Sequence, residues 1–347
     1  NQQSAYFALG LFVKYIFSCL IDADRLDAYN FETGQSYEDS LVNWEGLIQV
    51  FEKNLAKLQN NSAISKIRQE ISDKCQKASK KETGIYQLSV PTGGGKTLSS
   101  LRFALHHCKE YKKQRIIYVI PYLSIIEQTS KNIRSILDLK EQNDIVLEHH
   151  SNIIFSNDDE NDELKKLAAS RWDKPIIITT MVQFLETIMS SKASKLRKFH
   201  NMSNAVIIFD EIQSLPIKTI HIFNEIISFL SKICNSTILL CTATQPLLNS
   251  APRKNLLLRE NYNLIENTEK AFNQLNRTKI KICEEKDIDE LSDFVLQKAK
   301  ASGNCLVILN TKKFAKDVYL KIKELNIENE FKLFDLSTAM CSVHRFD

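Results

Sequence analysis

The chain has 347 residues, 43% apolar and 25% charged, with 46 Lys and Arg against 42 Asp and Glu for a formal net charge of +4. That length suits two ordinary domains, and that composition excludes collagen-like, low-complexity and broadly disordered chains. A charge so near neutrality permits nucleic-acid binding without pointing to it, because dedicated DNA-binding domains carry a far stronger basic bias.

The chain opens on Asn1-Gln2-Gln3-Ser4, with neither the basic segment nor the cleavage site of a signal peptide. The absence of a starting Met leads us to expect a fragment. The longest unbroken apolar runs, such as Ile116 to Ile120 and Ala205 to Phe209, have strand length, so no membrane span is expected. The eight cysteines form no C-x-x-C pair. A metal knuckle or redox motif is therefore not expected, and a reduced, cytoplasmic protein is.

Residues 5–28 carry apolar residues at helical spacing, among them Phe7, Leu11, Tyr15 and Cys19, and end in Ile21-Asp22-Ala23-Asp24-Arg25-Leu26. Residues 29–45 are polar and turn-rich and read as a linker. From Trp44 to about Lys80 the apolar spacing predicts two helices. Short apolar runs then alternate with amphipathic stretches: Ile85 to Val90, Ile116 to Ile120, Val146 to Glu148, Ile176 to Thr179, Ala205 to Phe209 and Ile238 to Cys241. Strands alternating with helices predict a parallel sheet covered on both faces. Asn157 to Glu163 reads as a solvated acidic loop. A second set follows from Thr278: strand 278–283, helix 287–301, strand 305–309, helix 312–325 and strand 331–335.

Three motifs carry chemistry. Pro91-Thr92-Gly93-Gly94-Gly95-Lys96-Thr97 lies between a strand and a helix, the context of a loop whose backbone N–H groups cradle phosphates. Lys96 is positioned there to meet the β- and γ-phosphates and the Thr97 hydroxyl to ligate Mg²⁺. Val206-Ile207-Ile208-Phe209-Asp210-Glu211-Ile212-Gln213 delivers two carboxylates at the end of an apolar strand. Asp210 suits Mg²⁺ and Glu211 suits a general base for the attacking water. Thr242-Ala243-Thr244 follows the next apolar strand.

The combination P-T-G-G-G-K-T, D-E-I-Q and T-A-T-Q-P resembles the helicase core of the CRISPR-associated helicase-nucleases of type I systems, within superfamily 2. Val90 stands where the strict P-loop pattern has Gly, a variant typical of that superfamily. Further stretches resemble the family: residues 120–128, Glu148-His149-His150-Ser151, residues 179–184, Asn310-Thr311 and residues 336–345. DEAD-box RNA helicases carry Asp-Glu-Ala-Asp and Ser-Ala-Thr, and neither is present.

The resemblance implies an α/β fold. The end of an HD nuclease domain (residues 1–30) and a linker with helices (31–80) precede a RecA-like, ATP-binding P-loop domain with a parallel sheet (81–265). The start of a second RecA-like domain (266–347) follows. It implies an ATP- and Mg²⁺-dependent single-stranded DNA translocase or helicase moving 3′ to 5′. Such a motor is recruited by the CRISPR RNA-guided surveillance complex (Cascade) and coupled to DNA cleavage at an HD centre holding a divalent transition metal. Lys96, Asp210, Glu211 and Gln213 are then the catalytic candidates, and Thr242, Ala243 and Thr244 couple the motor. Tyr122, Ser124, Gln128, Thr180 and Gln183 lie along the single strand, and Asp24 is an HD-site ligand. The remaining HD ligands and the arginine finger are expected outside this sequence. ATP binding with poor hydrolysis, and no DNA cleavage, are expected of it. Two other readings stay open: a different superfamily 2 motor (an RNA helicase or restriction translocase), and a non-hydrolysing nucleotide-dependent binding module.

Overall fold

The structure, a computed structural model, describes residues 2–34, 36, 42–140, 145–149, 170–243, 256, 258, 261–265, 272–273, 275, 278–326, 330–337 and 340. The chain divides into two compact units, Asn1–Asn276 and Arg277–Asp347.

The first unit is built on six parallel strands: β1 (Ile85–Ser89), β2 (Arg115–Ile120), β3 (Val146–His149), β4 (Ile176–Thr180), β5 (Ala205–Phe209) and β6 (Thr237–Thr242). Their order across the sheet is β1-β6-β5-β2-β4-β3, and every pair is parallel. The expected strands are thus all present, because unbroken apolar runs suit strands buried on both faces. Alternate residues feed two cores. Ile116, Tyr118 and Ile120 face one layer, made by α2 (Trp44–Lys57), α3 (Ala63–Ala78), α4 (Lys96–Glu110) and α5 (Leu123–Ile136). Ile117 and Val119 face the other, made by α1 (Gln2–Thr33), α6 (Met181–Met189), the short α7 (Ala193–Leu196) and α8 (Ile220–Lys232).

The two helices expected between Trp44 and Lys80 are α2 and α3, each started by a side-chain cap: Asn43 accepts from the Gly46 N–H and Ser62 from the Ser65 N–H. They are locked to α4 by Arg102. Its Nε and Nη2 donate to both carboxylate oxygens of Glu52 at 2.7 Å, and its Nη1 donates to Asp73 at 2.7 Å.

Two expectations change at the N-terminus. The helix read at 5–28 extends to Thr33, into the expected linker, and Gly34 follows at φ 65°, the left-handed conformation common after helix ends. By length and composition α1 also suffices to cross a membrane, contrary to the reading from unbroken apolar runs, which Lys14 interrupts. One face of α1 buries Leu11, Ser18, Ile21 and Asp22 against the first unit. Tyr6, Leu9, Val13, Ile16 and Leu20 are exposed on the opposite side.

In the second unit α9 (Ile288–Ser302) and α10 (Lys312–Leu325) match the expected helices. Asp287 and Thr311 cap their N-termini. The strands expected at 278–283, 305–309 and 331–335 are not formed: no strand occurs among the unit's described residues. Val307, Leu309 and Leu333 pack on the helix pair, whereas Ile282 is 98% and Leu306 84% exposed. Parallel ladders occur where both faces are covered, and here only one face meets a layer.

Candidate nucleotide and nucleic-acid site

In a parallel sheet every strand ends on the same edge, where ligands bind. The strand order therefore sorts the motifs. The Gly-rich loop follows β1, Thr242 ends β6 and Asp210-Glu211 follow β5, so one half of the edge gathers the phosphate chemistry. Tyr122 follows β2, Thr180 ends β4 and Glu148-His149 end β3, in the other half.

The phosphate loop is pinned at its start, where the Val90 N–H donates to the Thr242 carbonyl at 3.1 Å. Gly93 and Gly95 take φ 83° and 80°, where L side chains are strained. A Cβ on Gly94 would lie 2.4 Å from Val90 Cγ1 and 3.0 Å from the Pro91 carbonyl. Lys96 and Thr97 begin α4, which adds the favourable field of a helix N-terminus for an anion.

Lys96, Asp210, Glu211, Gln213 and Thr242 converge. Lys96 Nζ donates to Glu211 Oε1 at 2.5 Å and stands 3.8 Å from Asp210 Oδ1. Gln213 Nε2 donates to the second Glu211 oxygen, and the Thr242 hydroxyl donates to Gln213 Oε1 at 2.8 Å. The Asp210 N–H is fixed by the Val119 carbonyl at 2.9 Å. Glu211 itself adopts φ 46° and ψ 47°, a conformation costly for a non-glycine residue and concentrated at functional sites.

The two carboxylates are driven apart electrostatically. Burial and the Glu211 charge raise the Asp210 pKa against the pull of Lys96. Burial would raise Glu211 too, but hydrogen bonds from Lys96 and Gln213 hold it below the ordinary range. A largely buried carboxylate 3.8 Å from the phosphate-loop lysine suits Mg²⁺, which takes one or two carboxylates together with substrate phosphates. Asp210 therefore fits that ion, and Thr97 is the hydroxyl that the loop offers beside Lys96 in sequence.

A cleft opens beside the loop, lined by Leu58, Asn60, Ser65, Arg68, Gly95 and Leu98. Arg68 Nε donates to the Gly93 carbonyl at 2.8 Å, and its stem lies 3.3 Å from where a Gly95 Cβ would be. Sequence reasoning missed Arg68. Its signal was a cation on α3, the helix that precedes β1 and the loop.

In the other half, Tyr122 is 58% exposed at the start of α5. Gln128 is exposed one turn along, and Gln183 half-buried on α6. The Thr180 hydroxyl caps α6 by accepting from the Gln183 N–H at 3.1 Å, and Thr180 is only 7% exposed. The Ser124 side chain, Thr244 and His150 fall outside the described residues, and Ala243 sits in a bend.

Asp24 is exposed on α1, and no group of His, Cys, Asp or Glu able to hold a metal occurs among the described residues. The described residues alone therefore complete no HD-type transition-metal centre. The buried acid of that helix is Asp22. Arg171 Nε donates to both its oxygens at 3.0 Å and Arg197 Nε donates at 2.6 Å, while His200 Nε2 stands 3.3 Å away. Burial alone would raise the Asp22 pKa, but His200, Arg197 and Arg171 together hold it well below the carboxylate range. Sequence reasoning missed Asp22, whose one signal was its place on the helical face of Leu11 and Ser18.

A phosphate loop whose lysine meets an Asp-Glu pair, bridged through Gln213 to the end of the intervening strand, defines a P-loop nucleoside-triphosphatase core of the motor class. The DEAD/DEAH box helicase family matches residues 65–251, over half the sequence, and the chain belongs to that family. It is similar to the CRISPR-associated nuclease/helicase Cas3 of Haloferax volcanii, at 26% identity over 186 residues, 47% of this chain and 19% of that protein. It thus spans about a fifth of that relative's length. Cas3 of T. fusca with ATP aligns at TM-score 0.46 and 17% identity, over 58% of this chain and 23% of the other. The DUF1998 helicase MrfA aligns at 0.47 and 15%, over 82% and 42%.

Proposed function

We propose that this chain is the ATP-binding part of an ATP-dependent single-stranded DNA translocase or helicase of type I CRISPR interference. The convergence of Lys96, Asp210 and Glu211, with the Gln213 bridge to Thr242, carries the reading. Lys96 leaves Glu211 for the β- and γ-phosphates when ATP enters, with Asp210 and Thr97 holding Mg²⁺, which neutralises phosphate charge when bound. The freed Glu211 carboxylate accepts a proton from the attacking water. The Gln213–Thr242 link registers that change at the end of β6, from which Ala243 and Thr244 continue. The cleft at Arg68 takes the nucleoside end.

Tyr122, Ser124, Gln128, Thr180 and Gln183 grip the strand through its backbone, which positions it without reading sequence. Sequence choice belongs to the guide RNA of the surveillance complex (Cascade) that recruits the motor. In the same reading residues 1–30, 31–80, 81–265 and 266–347 are the HD-domain end, linker and helices, first RecA-like domain and part of the second. DNA cleavage, with Asp24 at a transition-metal centre, belongs to the whole protein in the cytoplasm. An arginine finger contributes about 10³–10⁵ in rate. Slow hydrolysis by residues 1–347 alone belongs to this reading.

The test is ATP hydrolysis by this chain and by a C-terminally extended one, with and without single-stranded DNA. DNA-stimulated turnover by the extended chain alone, abolished by Glu211→Gln, is expected. Stimulation by RNA and not DNA transfers the chain to a different superfamily 2 motor. Nucleotide binding with no turnover in either chain makes it a binding module.

A further inference from the structure

The segment β4–α6 bears Thr180 and Gln183 at one end, and α1 grips both of its flanks. Lys14 Nζ donates to the carbonyls of Ile188, Met189 and Ser190 at 3.1, 3.0 and 3.2 Å. These are C-terminal carbonyls of α6, which no intrahelical N–H satisfies, and a cation there also complements the helix dipole. Asp22, two turns further along α1, binds Arg171 before β4 and Arg197 and His200 after α6. Ser18 completes the clasp, its hydroxyl donating to the Arg197 carbonyl at 3.1 Å and accepting from the His200 N–H at 3.0 Å.

Nine residues of α6 make a rod about 13 Å long at 1.5 Å per residue. Lys14 holds one end and Thr180 caps the other. Phosphate hydrogen bonds tolerate only a few tenths of an ångström around 2.9 Å, so a rod free to shift at its C-terminus loses alignment at its N-terminus.

We propose that Lys14 is a positioning residue for the nucleic-acid grip: by clamping the C-terminus of α6 it fixes the Thr180–Gln183 turn that meets the strand. The inference rests on the single-strand reading above. It makes α1 a strut through which any domain attached to that helix affects the motor's hold on DNA.

The test uses the 347-residue chain, with a fluorescein-labelled oligothymidylate read by anisotropy and a fluorescent ATP analogue read in parallel. Lys14→Met keeps the stem and removes the donors. It is expected to weaken oligonucleotide binding roughly fivefold, the lower range of coupling between distinct sites, and to leave analogue binding unchanged. Lys14→Arg, which restores a donor, recovers native affinity. Unchanged oligonucleotide affinity in Lys14→Met overturns the proposal. So does an equal loss of both affinities, which marks a merely structural prop. If Lys14→Met fails to fold, Lys14→Gln, too short to reach the three carbonyls, is read the same way. Should the native chain itself not bind the oligonucleotide, the single-strand reading fails. Amide exchange along Phe184–Met189 then decides the clamp: faster exchange in Lys14→Met upholds it, and unchanged exchange refutes it.

Discussion

Asp22→Asn tests whether α1 is an integral part of the motor unit. Asp22 is 4% exposed, as are Arg171 and Arg197. Removing one partner of a buried ion pair costs about 3–5 kcal/mol, because the other charge stays buried. Arg171 keeps Asp173 at 3.1 Å, and Asn retains one acceptor for Arg197, so the lower end, about 3 kcal/mol, applies. For a unit of this size each kcal/mol lowers Tm by about 2–4 °C, which predicts a fall of about 6–12 °C in calorimetry. The folded pKa of Asp22 lies below its unfolded value of about 3.9. Its stabilisation is thus complete above that pH and is lost as pH falls toward the folded pKa, so the gap between native and variant closes in acid. Arg197→Met added to Asp22→Asn should recover part of the loss by removing the orphaned charge. A fall below about 2 °C at neutral pH, less than 1 kcal/mol on the same scale, refutes the reasoning.

Gly94→Ala must push its Cβ against Val90, which is fully buried; ATP affinity, read by titration calorimetry, should fall at least about tenfold, or about 1.4 kcal/mol. Glu211→Gln should keep ATP binding while turnover of the extended chain drops about 10²–10⁴-fold, the range for a general base. Thr242→Val keeps the shape of the β6 end but breaks the 2.8 Å link to Gln213; nucleotide affinity should persist while DNA loses its effect on turnover. Burial pushes the pKa of His107 down to about 4 from 6.5. The unfolded chain therefore takes up a proton first, and stability falls between those pH values by about 3 kcal/mol in all. His107→Gln should flatten that part of the stability–pH curve, measured by urea melts.

The central sheet was legible because its strands are built around short apolar runs such as Ala205–Phe209, a pattern that depends on local sequence alone. The phosphate loop was legible for the same reason, since its glycines and Lys96 act within one short segment. What escaped depends on distant partners. The role of Asp22 requires Arg171 and Arg197, far along the chain, so the sequence drew attention to Asp24, which is exposed. Residues 305–309 have the apolarity of a strand, yet pairing depends on neighbours that apolarity does not supply. Tyr29 to Thr33 look like linker by composition, and only Gly34 signals that the helix runs on to meet it.

Tyr6, Leu9, Val13, Ile16 and Leu20 recur on α1 at alternating steps of three and four, and each is more than half exposed. Contiguous apolar surface of this kind promotes self-association. In the test tube it would act as a greasy handle. Added sulfate should strengthen its stickiness, and a solvatochromic dye should brighten on it. Mild detergent should then keep the chain monodisperse without disturbing the phosphate loop.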